Sequence, residues 1–179
     1  MKKTNGFTLI ELSISLVIIG IIVAAIASGS VIIKQATIRS VVSDVRAIST
    51  AINSFKVQYG TLPGDLSNAQ TYWPVVASTP TANLANGNGN GYIDGTENNN
   101  VFQMLSLAGL IQYTIANSAY YPSKYSNSAN YQISNVGSVY GSAGLGDVLN
   151  LANYSSSSYY GAVKPQDAYD IDNKMEMSY

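Results

Sequence analysis

A twelve-residue tract in the middle of the chain carries oxygen side chains at the spacing of a calcium-binding loop. Asparagines occupy its first, third and fifth positions, and Gly91 occupies the sixth, where a loop of the EF-hand type turns sharply. A backbone carbonyl, a water-mediated contact and a bidentate carboxylate would complete the oxygen shell that calcium prefers. The predicted calcium ligands are therefore Asn86, Asn88, Asn90, Tyr92, Asp94 and Glu97.

The same tract also has the composition of a simple turn. Three asparagines stand where carboxylates are usual, so only two formal negative charges remain, and affinity would fall in the weak class of about 10⁻⁴–10⁻³ M. Pro80 and the short segment Thr81–Ala85 make a poor entering helix, which argues against a full EF-hand. The alternative is a flexible turn whose glycines supply positive φ.

A second acidic group follows later in the chain. Its members are Asp147, Asp167, Asp170 and Asp172. The last three follow Pro165, a residue suited to the first turn of a helix, where carboxylates are favoured by the helix dipole. We interpret them as helix-start residues rather than as metal ligands.

A single carboxylate, Glu11, lies at the start of the longest uncharged run in the sequence. The run extends from Leu12 to Ile33 and has 22 residues. As a helix it would span about 33 Å, which matches a bilayer core of about 30 Å. A carboxylate in that setting costs about 2.5–3.5 kcal/mol at the membrane centre and marks a functional site that needs a cation. Lys2 and Lys3 precede the run and favour a cytoplasmic N-terminus.

The first twelve residues closely resemble the class III leader of type IV pilins and type II secretion pseudopilins. The resemblance rests on the short basic segment Lys2-Lys3-Thr4-Asn5-Gly6 followed by Phe7-Thr8-Leu9-Ile10-Glu11-Leu12. It implies cleavage between Gly6 and Phe7 by a prepilin peptidase on the cytoplasmic face, and N-methylation of the new Phe7 amine. Because an intramembrane carboxylate needs a cation, we expect this amine, on a neighbouring subunit during filament assembly, to be the partner of Glu11.

Two other features bear on this resemblance. A secretory signal peptide cut after Ala25-Ile26-Ala27 is disfavoured, because Glu11 sits in its apolar segment and the helical pattern continues past the cut. Many type IV pilins carry a proline midway along the apolar segment, whereas the first proline here is Pro63. The absence of a proline in the apolar segment slightly favours a pseudopilin over a type IV pilin.

Composition excludes several other functions. The 179 residues contain neither cysteine nor histidine, which removes thiol nucleophiles, disulfides, cysteine and histidine zinc sites and histidine-based acid–base catalysis. A net charge of -1 argues against general nucleic-acid binding. No constellation of residues supports an enzyme, so we expect no catalytic residues.

A long helix must position Glu11 and carry the rest of the chain. Apolar residues recur at spacings of three and four, with charged residues off this stripe and Gly60 as a stop: Ile38, Val41, Val45, Ile48, Ile52, Phe55 and Tyr59. We predict a leader at 1–6, a transmembrane or filament-core helix at 7–33, its amphipathic continuation at 34–60 and a globular head at 61–179.

Within the head the pattern predicts a second helix from Asn100 to Leu107, capped by Asn100 and ended at Gly109. Candidate strands are Ile111–Ile115, Tyr131–Ile133 and Val136–Val139, and Pro165 opens a closing helix through Ala168, Ile171 and Met175. The pilin resemblance implies an α+β fold, with the long helix packed on a small antiparallel sheet.

The head is rich in tyrosine, which allows two interpretations. Surface adhesion through residues 120–125 is one, and we favour the other, in which the rings form the head core and subunit contacts. Tyrosines between residues 98 and 146 are Tyr113, Tyr120, Tyr121, Tyr125, Tyr131 and Tyr140, and Tyr59, Tyr72 and Trp73 flank the start of the head.

The leading hypothesis is thus a filament subunit, of a type IV pilus or of a secretion pseudopilus. By resemblance its partners are copies of itself, other pilins or pseudopilins, the prepilin peptidase and N-methyltransferase, and an inner-membrane assembly platform. The same resemblance places it in the bacterial inner membrane and then in a periplasmic or extracellular filament. The alternative is a membrane-tethered module that binds calcium or a surface ligand.

Overall fold

A single α-helix of 51 residues, α1, forms the axis of the molecule in a computed structural model. The structure describes residues 6–76, 80–81, 83–115, 118–135, 147–155 and 158–176. Helix α1 runs from Leu9 to Tyr59 and would measure about 76 Å at 1.5 Å per residue. Gly60 ends it in the left-handed conformation with φ of 78° and donates its N–H to the Lys56 carbonyl at 2.9 Å, as the glycine stop predicted.

The second half of α1 packs on the head through the predicted apolar stripe. Ile38, Val41, Ile48 and Phe55 are buried, while the other three stripe residues are partly buried. Phe55 lies among residues from the rest of the head, and the core around it includes Leu66, Leu84, Ile93, Val101, Phe102, Met104, Leu105, Tyr131 and Ile133. The heptad-type spacing therefore marks the surface that organises the core.

The head contains a four-stranded antiparallel sheet in sequential order. Its strands are β1 (Tyr121–Pro122), β2 (Ala129–Asn135), β3 (Asp147–Ser155) and β4 (Ser158–Gly161). Strands β2 and β3 pair over seven positions, and Tyr131 opposite Leu151 and Ile133 opposite Leu149 turn apolar side chains toward the core. The sheet and the long helix form the pilin-like α+β architecture, which confirms the predicted fold class.

Short helices complete the head. Helix α2 (Ala69–Tyr72) follows the turn after Gly60, α3 (Val101–Leu107) lies in the core, and α4 (Pro165–Glu176) packs beside α1. Helix α3 is followed by Gly109 with φ of 70°, and α4 begins at Pro165, both as predicted. Asn100 precedes α3 but makes no side-chain cap, because its carboxamide oxygen accepts the Ala85 N–H at 3.4 Å instead.

The predicted strands are only partly correct. The segment Tyr131–Ile133 lies inside β2, and Val136–Val139 lies outside the described residues. The prediction of a strand at Ile111–Ile115 is wrong: the Ile115 N–H donates to the Ser106 hydroxyl of α3 at 3.0 Å, so this backbone bonds to a helix side chain. Strands β1, β3 and β4 were not predicted.

Candidate functional site

Glu11 takes part in a capping box at the start of α1. Its carboxylate accepts the Thr8 N–H at 2.9 Å and the Thr8 hydroxyl at 2.6 Å, and the Thr8 hydroxyl oxygen accepts the Glu11 N–H at 3.3 Å. The carboxylate thus lies over the positive end of the helix dipole and satisfies an otherwise unpaired backbone donor. The Thr-x-x-Glu pattern of a capping box was available in the sequence and could have revealed this local partner.

The predicted processing residues lie just before the helix. Gly6 and Phe7 are in non-helical, exposed backbone, and the Phe7 side chain is 85% exposed. Exposed backbone outside a helix is accessible to a peptidase, and cleavage between Gly6 and Phe7 stays a prediction.

The first half of α1 makes almost no contact with the rest of the chain. Its large apolar side chains from Leu9 to Ile33 are more than half exposed. By length and composition α1 is the one helix in the described part of the chain that could cross a membrane, and its most apolar 18-residue window is 0% buried. Such a surface has to be covered by lipid or by other helices.

The tract from Asn86 to Glu97 encloses two buried carboxylates. Asp65, which is 1% exposed, accepts the N–H groups of Asn90 at 3.0 Å and Gly91 at 2.9 Å. Glu97, which is 7% exposed, accepts the N–H groups of Asn88 at 2.7 Å and Asp94 at 3.1 Å. Burial raises the pKa of Glu97, the two N–H donors oppose this, and the nearby charges of Asp65 and Asp94 raise the pKa further.

Among the six predicted calcium ligands, the carboxamide oxygens of the three asparagines each accept a backbone N–H. The Asn86 carboxamide oxygen accepts the Gln70 N–H at 2.9 Å, outside the tract. The carboxamide oxygens of Asn88 and Asn90 each accept the N–H two residues further on, at 2.9 Å, as in Asx turns. Within the described residues, no group of three or more acidic side chains is placed to hold a metal ion.

The glycines of the tract behave as the turn interpretation requires. Gly89, Gly91 and Gly95 have φ values of 75°, 90° and 53°. The amide groups of Asn88 and Asn90 donate to the two oxygens of Asp94 at 3.1 and 2.8 Å, which closes the turn from inside. Calcium binding stays a prediction. Asp65 lies outside the tract but accepts two of its backbone N–H groups, and the spacing within the tract did not reveal this.

The residues of the second acidic group make different contacts. Asp147 accepts the Ile93 N–H at 3.0 Å and so holds the tract to β3. Asp167 on α4 forms an ion pair with Lys34 at 2.5 Å and accepts the Tyr125 hydroxyl at 2.9 Å. The bond to Lys34, and then the bond to Tyr125, lower the pKa of Asp167. Lys34 is the first charged residue after the apolar run, so this contact joins α4 to the point where that run ends.

Several tyrosine rings belong to the core, as favoured above. Tyr131 is fully buried, and burial raises its pKa to about 12. Tyr121 lies between Phe102 and Tyr131, with ring centroids at 5.3 and 6.3 Å. Tyr140 lies outside the described residues, and Tyr113 is 46% exposed.

A second aromatic group closes the far end of α1. Tyr59 lies 4.4 Å from Phe55, 5.2 Å from Tyr72 and 5.3 Å from Trp73, measured between ring centroids. Trp73, the only tryptophan, therefore reports on the packing of the head against the helix.

Comparison with known proteins bears on the N-terminus. Residues 1–27 match the family model of the prokaryotic N-terminal methylation motif, which covers the class III leader of type IV pilins and pseudopilins. Proteins with this motif are structural rather than catalytic. No curated protein and no solved structure matches the chain. The motif together with the α+β architecture supports a pilin-like or pseudopilin-like subunit, and the leader with its apolar helix fits membrane anchoring.

Proposed function

We propose that this chain is a structural subunit that polymerises into a type IV pilus or a type II secretion pseudopilus. The observation that carries the proposal is the division of α1, whose apolar first half is exposed while its second half is buried in the head. A chain that leaves the fifteen large apolar side chains between Leu9 and Ile33 uncovered requires lipid before assembly and neighbouring helices afterwards. The head, held on the same helix, would then lie on the outside of the filament.

In this proposal, cleavage after Gly6 creates the amine that pairs with Glu11. Removal of residues 1–6 creates a free amine on Phe7, which N-methylation leaves able to carry a positive charge. In the single chain the Glu11 carboxylate is held by Thr8 through neutral donors only. A cationic amine on the neighbouring subunit would add the attraction between opposite charges, which the neutral Thr8 donors do not supply. That contact would set the axial register of the filament.

The test compares Glu11→Ala and Glu11→Gln with the unchanged chain in producing cells. Cleavage is measured by mass spectrometry of the N-terminus, and assembly by the share of head antigen in sheared extracellular filaments seen by electron microscopy. We expect both variants to be cleaved and to be depleted from filaments, because neither carries the negative charge that would form an ion pair with the amine.

Ser15→Ala is the matched control. Ser15 lies one turn further along α1, and its hydroxyl donates to the Glu11 carbonyl at 2.7 Å, so its loss removes a neighbouring polar group without removing the charge. Normal filament levels with Glu11→Ala would refute the role of the carboxylate. A processed chain that stays in the membrane and never enters filaments, whatever residue is at position 11, would favour a membrane-tethered module instead.

For that alternative function we propose weak calcium binding by the tract. The observation that favours it is the closeness of two carboxylates of the tract, because Asn88 donates its backbone N–H to Glu97 at 2.7 Å and its side-chain amide to Asp94 at 3.1 Å, so the two negative charges repel each other. A divalent cation would relieve this repulsion, although Asp94 would have to release the amides of Asn88 and Asn90.

The calcium proposal is tested by thermal unfolding of the full chain in detergent, followed through Trp73 fluorescence. Calcium at ten times its dissociation constant would stabilise the head by about 1.4 kcal/mol. Glu97→Gln should abolish that increase, whereas Asp172→Asn on the exposed face of α4 should retain it. An unchanged melting temperature in millimolar calcium would rule out the site.

A further inference from the structure

The first six residues of the tract, Asn86–Gly91, form three successive asparagine–glycine pairs, and this dipeptide has a known covalent reactivity. In an unconstrained chain the glycine amide nitrogen loses its proton and attacks the side-chain Cγ of the preceding asparagine. A C–N bond forms, the Cγ–Nδ2 bond breaks, and ammonia leaves with the proton. Water then opens the resulting succinimide to aspartate or isoaspartate. Glycine permits the attack because it has no Cβ to hinder the ring, and asparagine is accordingly a thermolabile residue.

The fold requires glycine at these positions. A Cβ on Gly87 would lie 2.3 Å from the carbonyl carbon of Asp65, so no larger residue fits there. Gly89 and Gly91 have positive φ, a conformation that side chains disfavour. The labile dipeptides are therefore a consequence of how tightly the tract packs on the turn formed by residues 62–66.

The same turn engages all three nitrogens that would attack. The Gly87 N–H donates to the Leu66 carbonyl at 2.9 Å, and the Gly89 N–H donates to the Asp65 carbonyl at 3.2 Å. The Gly91 N–H donates to the Asp65 carboxylate at 2.9 Å. A donated proton is harder to remove, and a negative carboxylate beside the nitrogen further disfavours the amide anion.

The asparagine side chains are held as well. The carboxamides of Asn88 and Asn90 each donate to Asp94 and each accept a backbone N–H. The attack requires rotation of this side chain toward the glycine nitrogen, and that rotation would break both contacts. Asn86 is held by its bond to the Gln70 N–H.

We propose that the Asn86–Gly91 tract is a latent deamidation site that the folded head keeps unreactive, with Asp65 protecting Asn90. Conversion of Asn90 would replace its donor to Asp94 with a like charge and would place that charge beside Asp65. The tract would then open, so one conversion exposes the next pair. Deamidation therefore spreads from one asparagine–glycine pair to the next after the first conversion has opened the turn.

The experiment measures site-specific conversion in the full chain in detergent at pH 8. After timed incubation, proteolysis and mass spectrometry quantify the gain of about one dalton at each asparagine. We expect conversion at least tenfold slower in the folded chain than in the same chain in urea, since a bond to a charged acceptor shifts local opening by about that factor or more.

Variants at Asp65 separate protection by this side chain from general stability. Asp65→Ala should accelerate Asn90 roughly tenfold or more relative to Asn86, whose glycine bonds to the Leu66 carbonyl instead. Asp65→Asn retains one acceptor and should give a smaller acceleration at the same site. Ile48→Val, a mild change in the core on α1, should raise all three rates by the same factor.

Two results would overturn the proposal. One is equal conversion in the folded chain and in urea, and the other is an Asp65→Ala chain that accelerates all three sites equally while Trp73 fluorescence shows a folded head. If Asp65→Ala does not fold, the Asp65→Asn ratio between Asn90 and Asn86 decides, and a ratio unchanged from the original chain counts against the proposal.

Discussion

The two halves of α1 are one continuous helix but differ in what surrounds them. From Leu9 to Ile33 the apolar side chains are exposed, whereas from Ile38 to Tyr59 a stripe of them is buried in the head. The first half is apolar on all sides and the second on one side only. An all-round apolar surface is typical of a helix in lipid or among other helices, and a one-sided stripe of a helix in a soluble domain.

The apolar side chains of this one helix are therefore buried in two different ways. Burial of the second half stabilises the single subunit, while burial of the first half depends on surroundings outside it. Substitutions in the two halves should therefore be read out by different measurements. In each case below, Trp73 fluorescence during urea unfolding in detergent reports the stability of the head.

The largest effect is expected for Phe55→Ala. Phe55 is fully buried and contacts Tyr59 and Trp73, so its removal leaves a cavity at the centre of the core. The free energy of unfolding should fall by about 3–5 kcal/mol. Ile18→Ala in the first half is the control and should leave the urea midpoint unchanged, and an equal loss for both would erase the distinction between the halves.

Ile22→Lys should give the opposite pattern. Ile22 lies at the centre of the uncharged run, where a lysine costs about 3 kcal/mol on insertion. The share of chain resistant to alkaline carbonate extraction should drop, while the urea midpoint of the head stays within about 0.5 kcal/mol. Ile22→Leu is the control for extraction. Full membrane retention of the lysine variant would contradict a membrane role for this half.

Gly60→Ala examines the point where the helix must stop. Gly60 has φ of 78°, and no atom would contact an added Cβ, so the cost is conformational alone. The head should lose about 1–2 kcal/mol, less than for Phe55→Ala, because alanine disfavours the left-handed region. Gly20→Ala inside α1 should cause no loss in the head. A neutral result at Gly60 would mean that the helix end is not held in this conformation.

The smallest effect concerns pH and the contact between α4 and α1. The pKa of Asp167 is lowered by Lys34, so its stabilisation is complete above the unfolded value of about 3.9 and disappears as pH falls through the lower folded value. Asp167→Asn should be less stable than the original chain at pH 7, with the difference closing in acid. Asp172→Asn, on the exposed face of α4, is the control and should retain the stability of the original chain at pH 7. A difference that persists at pH 2 would argue against the ion pair.

The sequence predicted features that depend on local pattern. The α1 stripe, Gly60 and Pro165 each carry their signal within a few residues, and each was confirmed. Strand β3 was missed although Leu149 and Leu151 alternate with Asn150, because Asp147 at its start and Asn153 within it are poor strand formers. Its pairing with β2 depends on contacts distant in sequence, as does the bond that turns Ile115 toward Ser106.

The candidate sites also divide into residues that a local motif identifies and residues that only distant contacts bring together. Gly6, Phe7 and Glu11 were identified by a contiguous motif, and the structure adds Thr8 as the local partner of Glu11. Asp65 lies more than twenty residues before the tract it stabilises, so spacing within the tract could not include it. Lys34 and Asp167 are 133 positions apart, and only the packing of α4 on α1 brings them together.

The long contact between α1 and the head has a mechanical consequence. From Ile38 to Tyr59 the contact extends over about 32 Å parallel to the helix axis. Tension applied along a filament would therefore load these side chains together, in shear, instead of separating them one after another. The Lys34–Asp167 ion pair lies at the end of this contact nearest the apolar half, where a pull on that half enters the head. A subunit built this way resists extension along its axis better than it resists peeling of the head away from the helix.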